Sequence, residues 1–328
     1  MSAVVIIGAQ WGDEGKGKIV DLLAERSDVV ARYAGGPNAG HTLVVGDDKI
    51  DLRLVPSGGL HPPKSCLRGR GMVINPATLV EELDILAERR ISTAGRVWLA
   101  PEAQLILDVH ILVDTLRESA ASGTKIGTTK RGIGPCYEDK VGRRGVRAGD
   151  LRDLGRARER VAETLATWAP TITRLAGEVP SIEAVMAPLK AAAERLLPYL
   201  ADTSAKLEND LLAGEKVMFG GAQSTVLDID HGPYPYVTSS SATVGGVGAG
   251  AGVSPRRLDR VIGVSKAYTT RVGAGPFPSE ETGALGVSLS EAGRRGGTAT
   301  GRPRRCGWLD AVAVGSAARP QVPINLVT

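Results

Sequence analysis

The chain has 328 residues, 42% of them hydrophobic, and 40 lysines and arginines against 36 aspartates and glutamates leave a formal charge of +4. That length supports one large core or two smaller ones, and phosphate-binding loops account for so slight a basic excess without any nucleic acid. Aromatic residues make up 4%, too few for base-stacking platforms, and no run of about eighteen apolar residues occurs to cross a membrane, so neither nucleic acid nor a membrane is expected as a partner.

Cysteines 66, 136 and 306 are scattered and lack C-x-x-C spacing, which suggests neither a zinc site nor a disulfide framework and reads as reduced thiols. With no charged stretch ahead of the short N-terminal apolar run, the expected location is the cytoplasm.

In chain order, the apolar run Val4–Ile7 predicts a strand, Gly8–Lys18 a glycine loop, and Ile19–Glu25 a helix. Strand, loop and helix in that order make a phosphate cradle. Glycines 12, 15 and 17 let backbone amides turn toward an anion, the helix start adds its positive dipole end, and Lys16 and Lys18 add full charge. The loop departs from the pattern G-x-x-x-x-G-K-[ST], since Gln10 stands at the first glycine and Gly17 at the hydroxyl that would meet Mg²⁺. A carboxylate, Asp13, lies inside it and would repel a phosphate unless it meets a cation, a proton or a chemical task, so it reads as a metal ligand, a base, or both.

A second glycine-rich loop, Arg32–Thr42, carries Asn38 and His41, one of four histidines in the chain. Alone, His41 reads as a loop histidine satisfied by backbone; beside an anion cradle it is suited to donate to a phosphate oxygen.

Further along, 75–90 predicts a packing helix, with Asn75 as N-cap, Pro76 in the first turn and apolar residues at 79, 80, 83 and 86 on one face. Helix-like segments follow at 156–176 and 182–213. The stretch of about 150–213, rich in Ala, Leu, Glu and Arg, is expected to be a helical subdomain inserted into an α/β core. An apolar run at 216–219 predicts another strand leading into a functional loop, and the Gly/Ala/Val tract Thr243–Val253 predicts a tight turn with close helix packing. These elements favour an α/β fold, P-loop-NTPase-like, with a large mostly parallel central sheet, flanking helices and one continuous core over residues 1–328.

The segments Gln10–Lys18 and Gly35–Thr42 lead a series of long matches in order: Ile126–Pro135, Tyr137–Lys140, Gly221–Gln223, Leu227–Gly232, Tyr234–Ser240 and Thr270–Pro278. Together they span residues 3 to about 310 and resemble the adenylosuccinate synthetase family. The resemblance implies a two-step ligation in purine nucleotide synthesis: GTP phosphorylates the 6-oxygen of IMP, and L-aspartate displaces that phosphate to give adenylosuccinate, GDP and phosphate. It implies Asp13 as the base at N1 of IMP and His41 as the acid on the transferred phosphate. It implies Mg²⁺ held by Asp13 and the carbonyl of Gly40.

By the same resemblance, GTP is held by Gly12, Asp13, Glu14, Gly15, Lys16, Gly17, Lys18, Gly40, His41, Thr42 and Arg304. IMP is held by Asp13, Lys16, Asn38, Ala39, Gly40, His41, Thr129, Gln223, Thr238 and Arg302, with Arg143 reaching in from a second subunit, which implies a homodimer. The loop Thr298, Ala299, Thr300, Gly301, Arg302, Pro303, Arg304 is implied for aspartate. Taken alone, Arg143 in Gly142–Gly145 reads as a solvated basic turn, and the arginines of Gly293–Gly297 as an exposed basic linker.

The chain also departs from the family pattern. Gly220 stands for a Glu, Ser224 for a Gly and Ala299 for a Thr. The family continues past this point into a [TN]-K-x-D guanine-recognition motif, whereas Thr328 is the last residue here. Prolines 320 and 323 fall where the family has a helix and a strand, which argues against both. A C-terminally truncated remnant that binds IMP or nucleotide without turnover is therefore the alternative expectation.

Overall fold

A computed structural model describes residues 3–38, 41–45, 48–56, 64–120, 125–292, 304–321 and 324–327. Seven strands form one sheet: β1 (Ala3–Gly8), β2 (Val29–Arg32), β3 (Ser65–Arg68), β4 (Val97–Leu99), β5 (Val217–Ser224), β6 (Arg260–Val264) and β7 (Ile324–Val327). Their order is β7-β6-β1-β5-β2-β3-β4, and every neighbouring pair is parallel. A parallel sheet is covered on both faces, which is why Val4–Ile7 is apolar without alternation.

The two faces nevertheless sort cleanly. Val5 and Ile7 of β1, Val29 and Ala31 of β2 and Phe219 of β5 pack on one side, while Ile6, Val30 and Met218 pack on the other. The core therefore lies in layers on the two faces of the sheet.

The larger layer is built by α1 (Lys16–Ala24), α2 (Pro76–Glu88), α3 (Asp108–Ala120) and, beyond α4 (Ile133–Val141), by α5 (Leu154–Arg174) and α6 (Ile182–Leu196). Helix α2 starts as its sequence predicts, with the Asn75 side chain accepting the Thr78 amide at 2.9 Å. The predicted run 182–213 is broken: Pro198 sits in a 3-10 turn at Leu197–Tyr199, and a separate helix α7 (Thr203–Leu212) begins with Asp202 accepting the amides of Ser204 and Ala205. Pro198 withholds the amide a further turn would use and the Asp202 cap starts a new helix, whereas Pro170 and Pro188 are carried inside α5 and α6.

Helices α7 and α8 (Gly245–Ala251) cover the opposite face. The glycines of α8 serve close approach: a Cβ at Gly250 would lie 2.2 Å from the Tyr33 carbonyl oxygen at the end of β2. Helix α9 (Ala284–Ala292) and α10 (Ala311–Ala318) follow, and β7 joins the sheet beside β6. The end of the chain therefore does form a helix and a strand, contrary to the reading of its prolines. Pro320 lies in the 3-10 turn Arg319–Gln321 after α10 has ended, so it interrupts no ladder.

Candidate active site

The C-terminal ends of β1, β2, β5 and β6 face one edge of the sheet, and the predicted functional loops leave from them. In open α/β sheets ligands bind in the crevice outside the C-terminal ends of the strands, which is this edge. Beyond β1, Gly12, Asp13 and Gly15 all have positive φ, at 93°, 58° and 87°, and α1 begins at Lys16. The Glu14 carboxylate folds back into the loop, where Oε1 accepts the amides of Gln10 at 3.2 Å and Gly12 at 3.0 Å. The anion held by these amides is thus Glu14 itself, a buried carboxylate that needs such donors.

Lys16 is buried, and its Nζ donates to the carbonyls of Gly221 and, at 3.2 Å, Gln223, which fastens α1 to the end of β5. Loss of hydration lowers its ammonium to about 8, opposed by Glu14 and assisted by Arg32. Lys18 lies one helical step on and is exposed.

Asp13 is held from two sides. Its carbonyl accepts Lys266 Nζ at 2.8 Å, and its carboxylate pairs with Arg304 Nε. The Asp13 side chain keeps 31% exposure against 8% for Arg304, so the carboxylate still opens outward. Lys266 also donates to Thr270 Oγ1 at 2.6 Å and lies 4.7 Å from the centre of the Tyr268 ring. Sequence reasoning misses Lys266; its one signal is the place it holds, two residues past the apolar run of β6, as Gln10 stands past β1.

Gln223 and Thr238 are brought together through Ser240. The Ser240 hydroxyl donates to Gln223 Oε1 at 3.3 Å and lies 3.3 Å from Thr238 Oγ1. Buried Asp228 shapes the segment between them, accepting the amides of Asp230, His231, Ala242 and Thr243. The loop after β2 closes on this group. Gly35 adopts φ 83°, and a Cβ there would lie 2.8 Å from Gln223 Oε1. Asn38 Oδ1 accepts the Gly36 amide at 3.3 Å, and Arg131, two residues past half-buried Thr129, donates to the Pro37 carbonyl. Across the pocket edge, buried Arg271 stacks 4.2 Å from the Trp11 ring centre and donates to the carbonyls of Pro276 and Tyr236.

His41 and Thr42 begin a hairpin in which His41–Val45 runs antiparallel to Asp48–Leu52, with His41 opposite Leu52. The hairpin's exit is anchored by Glu82 of α2, whose carboxylate accepts the amides of Arg53, Leu54 and Val55 at 2.7 to 3.0 Å. Ala39, Gly40 and the loop Thr298–Pro303, with Arg302, lie outside the described residues. Arg143 stands on the exposed turn after α4, where its amide donates to the Lys140 carbonyl at 3.1 Å. The cysteines are buried and unpaired as disulfides, and among the described residues no helix is long and apolar enough to cross a membrane.

The family described as adenylosuccinate synthetase matches residues 5–327 of the chain. The adenylosuccinate synthetase of Sorangium cellulosum is 56% identical over 320 residues, covering 97% of this chain and 75% of its own length. That of Moorella thermoacetica is 52% identical over 319 residues, covering 97% and 74%. Among solved structures, the fully ligated adenylosuccinate synthetase of Plasmodium falciparum superposes with a TM-score of 0.91 at 39% identity, covering 99% of this chain and 76% of that one. The succinoaminodeoxyadenylate synthetase of cyanophage S-2L, bound to dGMP and to dATP as an energy donor, shares the fold, with a TM-score of 0.69 at 22% identity over 99% and 84%.

Proposed function

The chain belongs to the adenylosuccinate synthetase family, and from that premise we propose that it ligates IMP to L-aspartate at the expense of GTP, releasing adenylosuccinate, GDP and phosphate. The observation that carries the reading is that Lys16, at the start of α1, is fastened to the carbonyls of Gly221 and Gln223 at the end of β5, while Asp13 of the same loop is held by Lys266 beyond β6. The alternative of a remnant that binds without turnover is not favoured by relationships at this identity.

Asp13 takes the proton from N1 of IMP, which makes the 6-oxygen a stronger nucleophile toward the γ-phosphorus. Its partial exposure supports that role, and the Arg304 guanidinium paired with it keeps the carboxylate charged. Lys16, with Gly12, Gly15 and Gly17, meets the phosphates, and Lys18 adds charge at the rim. His41 donates to the transferred phosphate oxygen, and Thr42 supports it. Asn38, Thr129, Gln223 and Thr238 grip IMP, with hydroxyl and amide groups suited to a 5′-phosphate and a purine edge. Thr298–Arg304 receives aspartate, and Arg304, which pairs with Asp13, serves the GTP side.

Mg²⁺ fits this donor set. Among the described residues no cluster of three or more His, Cys, Asp or Glu side chains forms a cage, so a cation beside Asp13 would draw most of its oxygens from phosphate, as Mg²⁺ usually does. Asp13 and the Gly40 carbonyl would hold it, and when bound it would neutralise charge on the phosphates. The enzyme works as a cytoplasmic homodimer in which Arg143 crosses to the partner's IMP.

The test is the ultraviolet absorbance change of adenylosuccinate formation with GTP, IMP and aspartate, run beside Asp13→Ala. The expected result is turnover in the parent and a loss of about 10²- to 10⁴-fold in the variant. Equal rates in both would remove Asp13 as the base.

A further inference from the structure

A buried polar cluster remains that takes no part in the chemistry above. Asp139 of α4 and His110 of α3 are both fully enclosed. Asp139 Oδ2 meets His110 Nε2 at 2.8 Å and accepts Trp168 Nε1 of α5 at 2.9 Å, while Arg144 Nε lies 2.7 Å from Oδ1. His110 Nδ1 accepts the Leu107 amide at 3.0 Å, so the ring's proton belongs on Nε2, facing the carboxylate. One side chain thereby gathers α3, α4, α5 and the turn after α4.

The same residue grips that turn by its backbone. The Asp139 carbonyl accepts the amides of Arg144 at 3.1 Å and Gly145 at 3.3 Å. Between these anchors and α4 stands Arg143, at φ 63°. That left-handed conformation ordinarily goes to glycine after a helix, and a side chain persists there only where its surroundings over-determine it. Arg144, fixed against Asp139 and 6.0 Å from the Trp168 ring centre, supplies that constraint on the following residue.

We propose that Asp139, with His110 and Trp168, is a positioning device for Arg143: the buried network holds the turn that presents this exposed arginine to a second copy of the chain. The proposal rests on the sharing of Arg143 across a dimer, and the test separates the two.

Differently tagged subunits are co-expressed in pairs and purified by both tags in succession, so that only mixed dimers are assayed. In Arg143→Ala with Asp13→Ala, one site per dimer keeps both Asp13 and a donated Arg143, and about half of the parental activity returns, because one of two symmetric sites is intact. In Asp139→Asn with Asp13→Ala the same half returns if Asp139 acts only through the arginine it presents. Alone, Asp139→Asn raises KM for IMP by about tenfold, the loss of one charged contact.

The proposal is overturned if Asp139→Asn alone keeps parental KM and kcat, or if it fails to complement while Arg143→Ala succeeds, since its damage would then lie in its own subunit. Failure of the Arg143→Ala pair removes the sharing itself. If Asp139→Asn does not fold, Trp168→Phe, which withdraws one donor and keeps the ring, carries the same test with the same opposing outcomes.

Discussion

Lys16 stands enclosed at the place proposed to meet a phosphate, and its lowered pKa has two consequences of opposite sign. In the unfolded chain its ammonium titrates at the ordinary 10.5, and in the folded protein at about 8. A base with a lowered folded pKa weakens the fold while charged: that cost is full below about pH 8 and fades as pH climbs toward 10.5, so this residue's contribution to stability rises across the window. On the proposed role, phosphate binding loses its cation over the same range. GTP affinity, followed by calorimetric titration from pH 7 to pH 9, should therefore fall above about pH 8, and Lys16→Met should flatten that fall. Arg143 carries a cost of another kind. Arg143→Gly should raise stability by about 1 kcal/mol in urea unfolding, because glycine accepts positive φ freely, while turnover drops. The Gln10–Lys18 loop is legible in sequence because it is contiguous. Lys266 is not, since its contact with Asp13 spans 253 residues, and neither is the inward fold of Glu14, which depends on tertiary burial.

At the scale of elements, α2 does more than its apolar face predicts. The stripe at 79, 83 and 86 packs as periodicity indicates, but Glu82 of the same helix turns into the core and receives three successive amides at the foot of the His41 hairpin. Burial pushes its carboxyl above the usual range while those amides pull it down. Glu82→Ala leaves the donors unpaired and should cost about 2 to 4 kcal/mol in urea unfolding, with Glu82→Gln losing less. Hairpin and helix lie about thirty residues apart, and no local pattern in a helix marks an acid that faces inward. The boundaries of α2 and α5 are near their predicted places because caps and periodicity are local signals. The break between α6 and α7 needs weight given to Pro198 and to Asp202 as a cap. At the chain's end Pro320 follows α10 rather than entering it, a distinction that depends on register more than on composition.

Across the whole molecule, parallel topology and the loop-bearing edge follow from the alternation of strand and helix signals, whereas strand order does not, because β1 is centred between strands that arrive far later. Both neighbours of β1, residues 217–224 and 260–264, lie more than two hundred residues after it, and β2 meets β1 only through β5. A fragment of residues 1–213 should therefore show no protection of the Val4–Ile7 amides in hydrogen exchange and no thermal shift with GTP. For a chain leaving the ribosome, this means that the Gln10–Lys18 loop emerges long before the strands that frame it and is among the last parts to be built. Some two hundred residues pass through the exit tunnel while an unpaired apolar strand waits, a period in which escorts at the tunnel mouth, and not nucleotide, must keep it from the wrong partners.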